Sequence, residues 1–234
     1  MRDNEVITFN GKDLSDYGVY YDGSRSFTKP QKQIDLFQIP GRSGDLTITQ
    51  GRFSNVNISY DCYIVRNFKD NYLNLINDLS VLEGYGRLET TEEPDIYREA
   101  VFMDEMEATP GQFNKNGTFT LSFNCKPQKW LKSGEKGIAV TSSSTLLNPC
   151  QFDSKPLIAV SGTGSITINS SVLTLANNTS TTYIDCDIQD AYEGTINRNG
   201  DLTVTNGFPV LKPGANTVSV SGCTIVITPR WWRL

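Results

Sequence analysis

The 234-residue sequence contains no histidine, so catalysis would need carboxylates or lysines. The other residues that could do chemistry are arginines and two adjacent tryptophans. Without an imidazole, Ser-His-Asp and Cys-His nucleophile pairs are excluded, and so are most zinc sites. A glycosidase would need two carboxylates that flank a sugar cleft. Two acidic segments come into question, Glu89–Asp95 (ETTEEPD) and Asp185–Gly194 (DCDIQDAYEG).

In the second acidic segment, Asp185 and Asp187 share the polar phase of an alternating strand. This placement is typical of a solvated strand edge, which is our leading interpretation. An oxygen-ligand Ca²⁺ site and a catalytic carboxylate pair are the alternatives. No P-loop or dinucleotide fingerprint occurs, so we predict no cofactor. We also predict no catalytic residue and no metal ligand, in a protein that is not an enzyme.

The C-terminal segment PRWWRL places Trp231 and Trp232 between Arg230 and Arg233. Two neighbouring indoles can form an aromatic platform for a glycan or a partner protein. In the simpler alternative, the last strand inserts one indole into a core and leaves the other half exposed. We name both tryptophans as candidate partner or glycan contacts.

The segment Ile39–Phe53 (IPGRSGDLTITQGRF) contains two Gly-Arg pairs, at Arg42 and Arg52, around a stretch that is too polar for a core. A glycine permits a tight turn that directs the following guanidinium away from its own sheet. Leu46 and Ile48 add a thin apolar strip, so the segment is typical of a subunit contact. An exposed loop with free arginines is the alternative. The candidate interface residues are Arg42, Asp45, Leu46, Ile48, Arg52 and Phe53.

Strands must position most of these residues, since 19 glycines and abundant Ser, Thr and Asn favour short strands and tight turns. The one convincing helix spans about 67–82, where apolar residues recur at spacings of three and four. Asn67 can cap it and Gly84 can end it. We therefore predict a mainly β protein whose residues 1–132 form a sandwich-like domain with one packed helix and a protruding hairpin.

A Gly- and Ser-rich stretch at 133–150 predicts a linker. Beyond it, residues 151–234 show short strands with turn signals about every ten residues, among them Asn199-Gly200. This spacing predicts a second domain that is a β-sandwich.

The five cysteines include no C-x-x-C pair, and an odd number cannot form a complete internal disulfide set. Four of them continue the apolar phase of an alternating strand, so we predict buried, reduced thiols without redox or metal roles. These four are Cys62, Cys125, Cys186 and Cys223.

The formal net charge of −5 and the lack of a basic run disfavour binding to nucleic acid through its phosphates. No stretch of about 18 apolar residues and no charged-then-apolar N-terminus occurs, so we expect neither membrane insertion nor export. The chain is expected to fold in the cytoplasm in which it is made.

The order of several N-terminal segments resembles the distal tail proteins of long-tailed phages. DLSDYGVYY (Asp13–Tyr21) is followed by a proline-containing arm and by IPGRSGDLTITQGRF, which is similar to that family's glycine-arginine turn, short strand and second glycine-arginine element. After the helix, Leu88–Phe102 resembles the family's acid-Pro-Asp-x-Tyr segment. Gly117–Glu135 resembles its closing strand and Cys-x-Pro exit.

The C-terminal part extends the resemblance over nearly the whole chain. PLIAVSGTGSITIN and GFPVLKPGANTVSVSG look like the galectin-like sandwich of the family, which is also similar to carbohydrate-binding modules. The resemblance implies a virion component of which six copies form a ring at the distal end of the tail tube. It further implies that the first domains close the ring and that the sandwiches project outward.

The same resemblance implies the partners of the ring. They are the major tail tube protein, a tail-associated tip protein, the tape measure protein and a receptor-binding protein, and DNA would pass through the lumen without specific binding. In such a ring, Arg42 and Arg52 would face the next subunit. The alternatives from other classes are a carbohydrate-binding adhesin of the tail tip and a glycan-degrading enzyme.

Overall fold

A computed structural model describes residues 5–23, 28–103, 105–178 and 180–234. The chain divides into a first compact unit within residues 1–129 and a second unit formed by residues 130–233. The predicted mainly β class with one α-helix is confirmed. Each unit has its own hydrophobic core.

The strands and the helix of the first unit follow one another along the chain with short connections. They are β1 (Ile7–Phe9), β2 (Lys12–Asp13), β3 (Val19–Tyr21), β4 (Lys32–Phe37), β5 (Leu46–Phe53), β6 (Val56–Ile64), α1 (Phe68–Ser80), β7 (Gly86–Thr90), β8 (Ile96–Val101), β9 (Ala108–Pro110) and β10 (Gly117–Leu131).

The main sheet of the first unit has the strand order β2-β1-β7-β8-β10-β6-β3, and β9 pairs with β10. Strand β3, at one end of this order, also pairs with the chain just before β1, because the backbone N–H of Glu5 donates to the carbonyl of Tyr21 at 3.3 Å and that of Tyr21 donates to the carbonyl of Glu5 at 3.2 Å. The sheet therefore curves around its own core. Residues at alternate positions of β6 and β10 point into that core, as their period of two predicts.

Helix α1 covers the predicted segment and buries Phe68, Leu75 and Leu79 against the core. Asn67 precedes it with a φ of 51°, and its side chain makes no capping hydrogen bond, so the predicted cap is wrong. The ring of Phe68 stacks on Tyr72 with centroids 5.4 Å apart. The helix is thus fixed by its apolar stripe rather than by its cap.

The second unit continues with short strands. They are β11 (Ile138–Val140), β12 (Ser144–Asn148), β13 (Leu157–Ser161), β14 (Gly164–Ile168), β15 (Ser171–Leu175), β16 (Thr181–Asp185), β17 (Asp190–Glu193), β18 (Ile196–Asn197), β19 (Leu202–Thr205), β20 (Gly214–Ser221), β21 (Thr224–Thr228) and β22 (Trp232–Arg233).

Two antiparallel sheets make up this unit, in the orders β11-β21-β13-β16-β17-β18 and β12-β20-β14-β15-β19. Alternate residues of both sheets, such as Ile158, Ile166 and Ile225, are buried in a common core. This arrangement is a β-sandwich, as predicted.

The predicted linker at 133–150 is wrong, because this segment supplies two strands of the sandwich. Strand β11 pairs with β21, and β12 pairs with β20. Leu146 and Asn148 point inward, and the Asn148 amide donates to the carbonyls of Phe152 and Leu211 at 3.0 Å each. The Gly and Ser content concealed this short alternation.

All five cysteines are buried and free, in line with the prediction of small buried hydrophobes. Burial raises the pKa of Cys62 to about 12 and that of Cys186 to about 12. A thiolate is the reactive form of cysteine. These thiols are therefore protected twice, because burial keeps reagents away and because the raised pKa keeps them un-ionised.

We expect native protein at about pH 8, where an ordinary exposed thiol is partly ionised, to react slowly with an aromatic disulfide reagent. Unfolding without reductant should then release five reactive thiols per chain. A parallel sample unfolded with reductant and desalted provides the reference count. A lower count in the unreduced sample would contradict reduced cysteines.

Candidate functional site

Strands β4 and β5 form a two-stranded antiparallel sheet that, within the described residues, pairs with no other strand. We call residues 32–53 the ribbon. Ile34 lies opposite Thr49, Leu36 opposite Thr47, and Phe37 opposite Leu46. An isolated pair of strands is marginally stable at best in water, so a partner that covers the ribbon would stabilise it.

Apolar side chains are exposed on both faces of the ribbon. The face of each residue follows from the pairing, since directly opposed residues share a face and successive residues alternate between faces. Phe37 and Ile48 are exposed on one face, at 51% and 49%, together with Leu46. Ile34 and Leu36 occupy the other face, and Leu36 is 62% exposed. Of these five exposed residues, only Leu46 and Ile48 were predicted from the sequence. The apolar run that begins at Ile34 is the sequence signal that could have identified the other three.

The two predicted arginines lie at opposite ends of the ribbon. Arg42 is in the loop between the strands, whereas Arg52 lies inside β5, directly after Gly51 with a φ of 72°. Leu46 is the first residue of β5 and Arg52 is its last but one. About 20 Å of strand therefore lies between Leu46 and Arg52. The expected position of Arg52 at a turn is therefore wrong. Both arginines are exposed, and neither forms an ion pair with another described residue.

The other two predicted interface residues flank β5. Asp45 is exposed just before the strand, and Phe53 is half-buried at its end, where it lies opposite Lys32. Phe53 thus lies at the end of the ribbon where β5 leads into β6, and the exposed apolar residues lie further along the ribbon.

The two tryptophans do not form a joint platform. Trp231 is buried in the core of the second unit, and its carbonyl accepts the N–H of Leu131 at 2.9 Å. The Trp232 ring stacks on Phe152 with centroids 4.4 Å apart, and its Nε1 donates to the carbonyl of Asp153 at 2.9 Å. Only one face of one indole is left for a glycan or a partner.

Asp185 is not a solvated edge residue, and it has no catalytic partner. It is 7% exposed, and both of its oxygens accept hydrogen bonds from Arg230 at 2.8 Å. Burial raises the pKa of Asp185, but the bonds from Arg230 and from the N–H of Asp187 outweigh it, so the net pKa lies below the ordinary value. Asp187 is exposed and pairs with Lys155 at 3.0 Å.

The first acidic segment is likewise neutralised by cations. Glu89 pairs with Arg87, and Glu93 contacts Lys129 at 3.4 Å and Arg98 at 3.9 Å. In the described parts of the chain, no three His, Cys, Asp or Glu residues are grouped so that they could hold a metal ion. The same residues contain no helix that is both long and apolar enough to cross a membrane.

Comparison with known proteins identifies the ribbon-bearing unit. Residues 12–125 match the family described as the phage tail protein RIFT-related domain. This segment is similar to that family, and the fold of the whole chain is Dit-like. A search of curated proteins found no match to this chain.

The fold follows from solved structures. The crystal structure of the Dit protein of phage SPP1, described as a paradigm of the hub adsorption apparatus in phages that infect Gram-positive bacteria, has a TM-score of 0.76 and 16% identity, covering 98% of this chain and 99% of that chain. A phage P2 baseplate structure in the activated conformation with Ca has a TM-score of 0.52 and 11% identity, covering 95% and 97%. The corresponding structure with Sr has 0.51 and 11%, covering 98% of each chain.

The Asp185–Arg230 pair makes the stability of the second unit depend on pH. We expect Asp185→Asn to lower the free energy of unfolding by about 1–3 kcal/mol at neutral pH, because a bidentate charged hydrogen bond is lost. A carboxylate whose folded pKa is depressed contributes stability above its unfolded pKa of about 3.9, and that contribution disappears as pH falls through the folded pKa. The difference from wild type should therefore shrink below about pH 4.

Urea unfolding followed by tryptophan fluorescence measures this effect, because all three tryptophans, Trp130, Trp231 and Trp232, belong to the second unit. Asp187→Asn is the matched control and should change stability little, since Asp187 is exposed. An Asp185→Asn deficit that is equally large at pH 3 and pH 7 would show that the charge of Asp185 is irrelevant.

Proposed function

We propose that this chain is a structural phage tail protein of which six copies form a closed ring at the distal end of the tail tube. The ring connects the tube to the tail tip or baseplate and to receptor-binding components. The RIFT-related domain and the Dit-like fold support this proposal. The observation that carries it is the ribbon, an isolated pair of strands with exposed apolar residues on both faces and an unpaired arginine near each end.

Apolar burial supplies the free energy of the proposed contact. Fully burying one large aliphatic or aromatic side chain contributes about 1.5–3 kcal/mol, so five half-exposed residues can supply roughly 5 kcal/mol. An exposed ion pair adds only about 0–1 kcal/mol. The apolar residues therefore drive association, and the arginines select its register. The five are Ile34, Leu36, Phe37, Leu46 and Ile48.

A head-to-tail contact suits the ribbon better than a symmetric dimer. A twofold contact between ribbons uses the same surface on both copies, so an arginine of one ribbon would lie near an arginine of the other, whereas a head-to-tail contact presents each ribbon to a different surface of the next copy. Such contacts form a ring when the rotation closes. In this proposal, residues 1–132 form the ring and the sandwich projects outward.

The proposed position of the ring sets its partners and its location. It would contact the major tail tube protein on one side and a tail-associated tip protein on the other, with the tape measure protein and then DNA passing through the lumen. A receptor-binding protein would attach at the tip. The protein would accordingly be found in the virion, after assembly in the bacterial cytoplasm, and would act without catalysis.

The first test is the particle itself. Purified full-length chain should sediment as a hexamer at high concentration, and images of the particles should show rings. A chain that stays monomeric at its highest soluble concentration, or that forms dimers, contradicts the proposed ring.

We expect Phe37→Ser combined with Ile48→Ser to abolish the ring while each monomer stays folded, because the main apolar contact on one face of the ribbon is lost. Sedimentation velocity measures the assembly, and circular dichroism measures folding. The control is Ile196→Ser, which removes an exposed apolar side chain of 56% exposure from the second unit and should leave the ring intact. A ring that survives the double substitution would place the contact elsewhere.

Arg42→Glu combined with Arg52→Glu should also prevent ring formation and tail assembly, and the thermal transition of the second unit should not change. The paired substitution Lys136→Glu and Lys212→Glu changes the net charge equally at exposed positions of the second unit, so it controls for general repulsion. Rings that persist in the arginine variant would mean that both guanidinium groups face solvent. Loss of folded signal would assign them to the monomer instead.

A further inference from the structure

Phe113 is the most exposed large hydrophobic residue among those that the structure describes, at 90%. It lies at the tip of the hairpin between β9 and β10, and no other described side chain covers its ring. A single exposed apolar side chain is ordinary, and Phe113 is unusual because its exposure is combined with a backbone conformation that costs free energy.

The backbone at Phe113 is strained. Its φ of 56° and ψ of 27° lie in the left-handed region, which is a genuine outlier for a bulky side chain. Asn114, which tolerates this region, follows with a φ of 55°. Asparagine or glycine would fit position 113 with less strain, so the phenylalanine is unfavourable for the monomer both in its backbone and in its exposure.

The tip is held in one shape by hydrogen bonds. The N–H of Gly111 donates to the carbonyl of Asn116 at 2.7 Å, and the N–H of Asn114 donates to that of Gly111 at 3.2 Å. The carbonyl of Lys115 accepts the N–H of Phe68 at 3.3 Å, which anchors the tip to the first residue of α1. The hairpin therefore presents the Phe113 ring on a fixed support.

Carboxylates accompany the ring on the same hairpin. Glu105 and Glu107 are exposed just before β9, and both line a cleft of about 780 Å³ that also contains Asp61. The hairpin thus combines an aromatic tip with negative charge. The ribbon combines apolar faces with Arg42 and Arg52, and it also carries Asp35 and Asp45, so its charge complements the hairpin near the arginines alone.

We infer that the Phe113 hairpin is the surface that receives the ribbon of the next copy, with the Phe113 ring packed on the apolar residues of that ribbon and Glu105 and Glu107 facing the arginine at one end of it. This inference rests on the proposed ring. A head-to-tail ring requires two different surfaces on each copy, and the ribbon supplies one of them. The occupant of the hairpin is thus a second copy of this chain.

The decisive variant is Phe113→Asn, because asparagine fits the left-handed backbone. The monomer should melt at the same or a higher temperature, whereas the concentration needed for ring formation should rise roughly ten- to a hundredfold for the loss of one buried aromatic side chain per contact. A residue with a merely structural role would show the reverse, with a less stable monomer. Ile188→Asn, at an exposed position of 66% in the second unit, is the matched control and should leave assembly unchanged.

A charge exchange tests the second half of the inference. Glu105→Arg with Glu107→Arg should abolish the ring, as should Arg42→Glu with Arg52→Glu. All four substitutions in one chain should restore it, because opposite charges again face each other across each contact. Failure of the fourfold variant to assemble, while it stays folded, would overturn the pairing of these groups.

The outcomes separate this inference from the proposed function. If wild-type rings form and the ribbon variants destroy them, but Phe113→Asn assembles like wild type, the ring stands and the hairpin is not its acceptor. In that case a different tail protein or solvent covers Phe113. If wild-type chain forms no ring at all, the proposed function fails first.

Discussion

The long antiparallel ladder between β6 and β10 is the constraint on which the first unit depends. It pairs Ile64 with Gly117 at one end and Val56 with Cys125 at the other, without a break in register. Because side chains alternate along both strands, this register fixes one row of core residues and one row of polar residues. The polar row is itself cross-linked, for example by Thr120 to Asp61 at 3.0 Å and by Ser59 to Ser122 at 2.8 Å.

Both proposed contact surfaces of the first unit depart from an end of this ladder, as does helix α1. The ribbon enters it through the short step from β5 to Val56, and helix α1 begins shortly after Ile64. The Phe113 tip enters it at Gly117, where an added Cβ would lie 2.5 Å from the ring of Phe68. The ladder therefore holds the ribbon and the tip on one rigid support, although neither contributes to the core that stabilises that support.

Features encoded in consecutive residues could be predicted from the sequence, and features made by distant residues could not. The helix, the alternation of β6 and β10 and the burial of the cysteines follow from local periodicity. The bidentate bond between Asp185 and Arg230 joins residues 45 positions apart, and the periodicity that placed Asp185 on a polar phase carried no information on it. Arg52 was misplaced for a similar reason: Gly51 reads as a turn in sequence, but it lies inside β5 where the register with β4 shifts, so the chain bends there without ending the strand.

The costs that the monomer bears have a common explanation in assembly. An exposed apolar ribbon and a strained phenylalanine each reduce the stability of a single copy, and in the proposed ring each would regain free energy when another copy covers it. Charge limits how copies meet: a ribbon that met a second ribbon would place arginine near arginine, and two acidic hairpins would repel each other. In the proposed ring, the pairing of unlike surfaces would relieve both costs and avoid both repulsive contacts, and such a pairing can propagate around a closed ring.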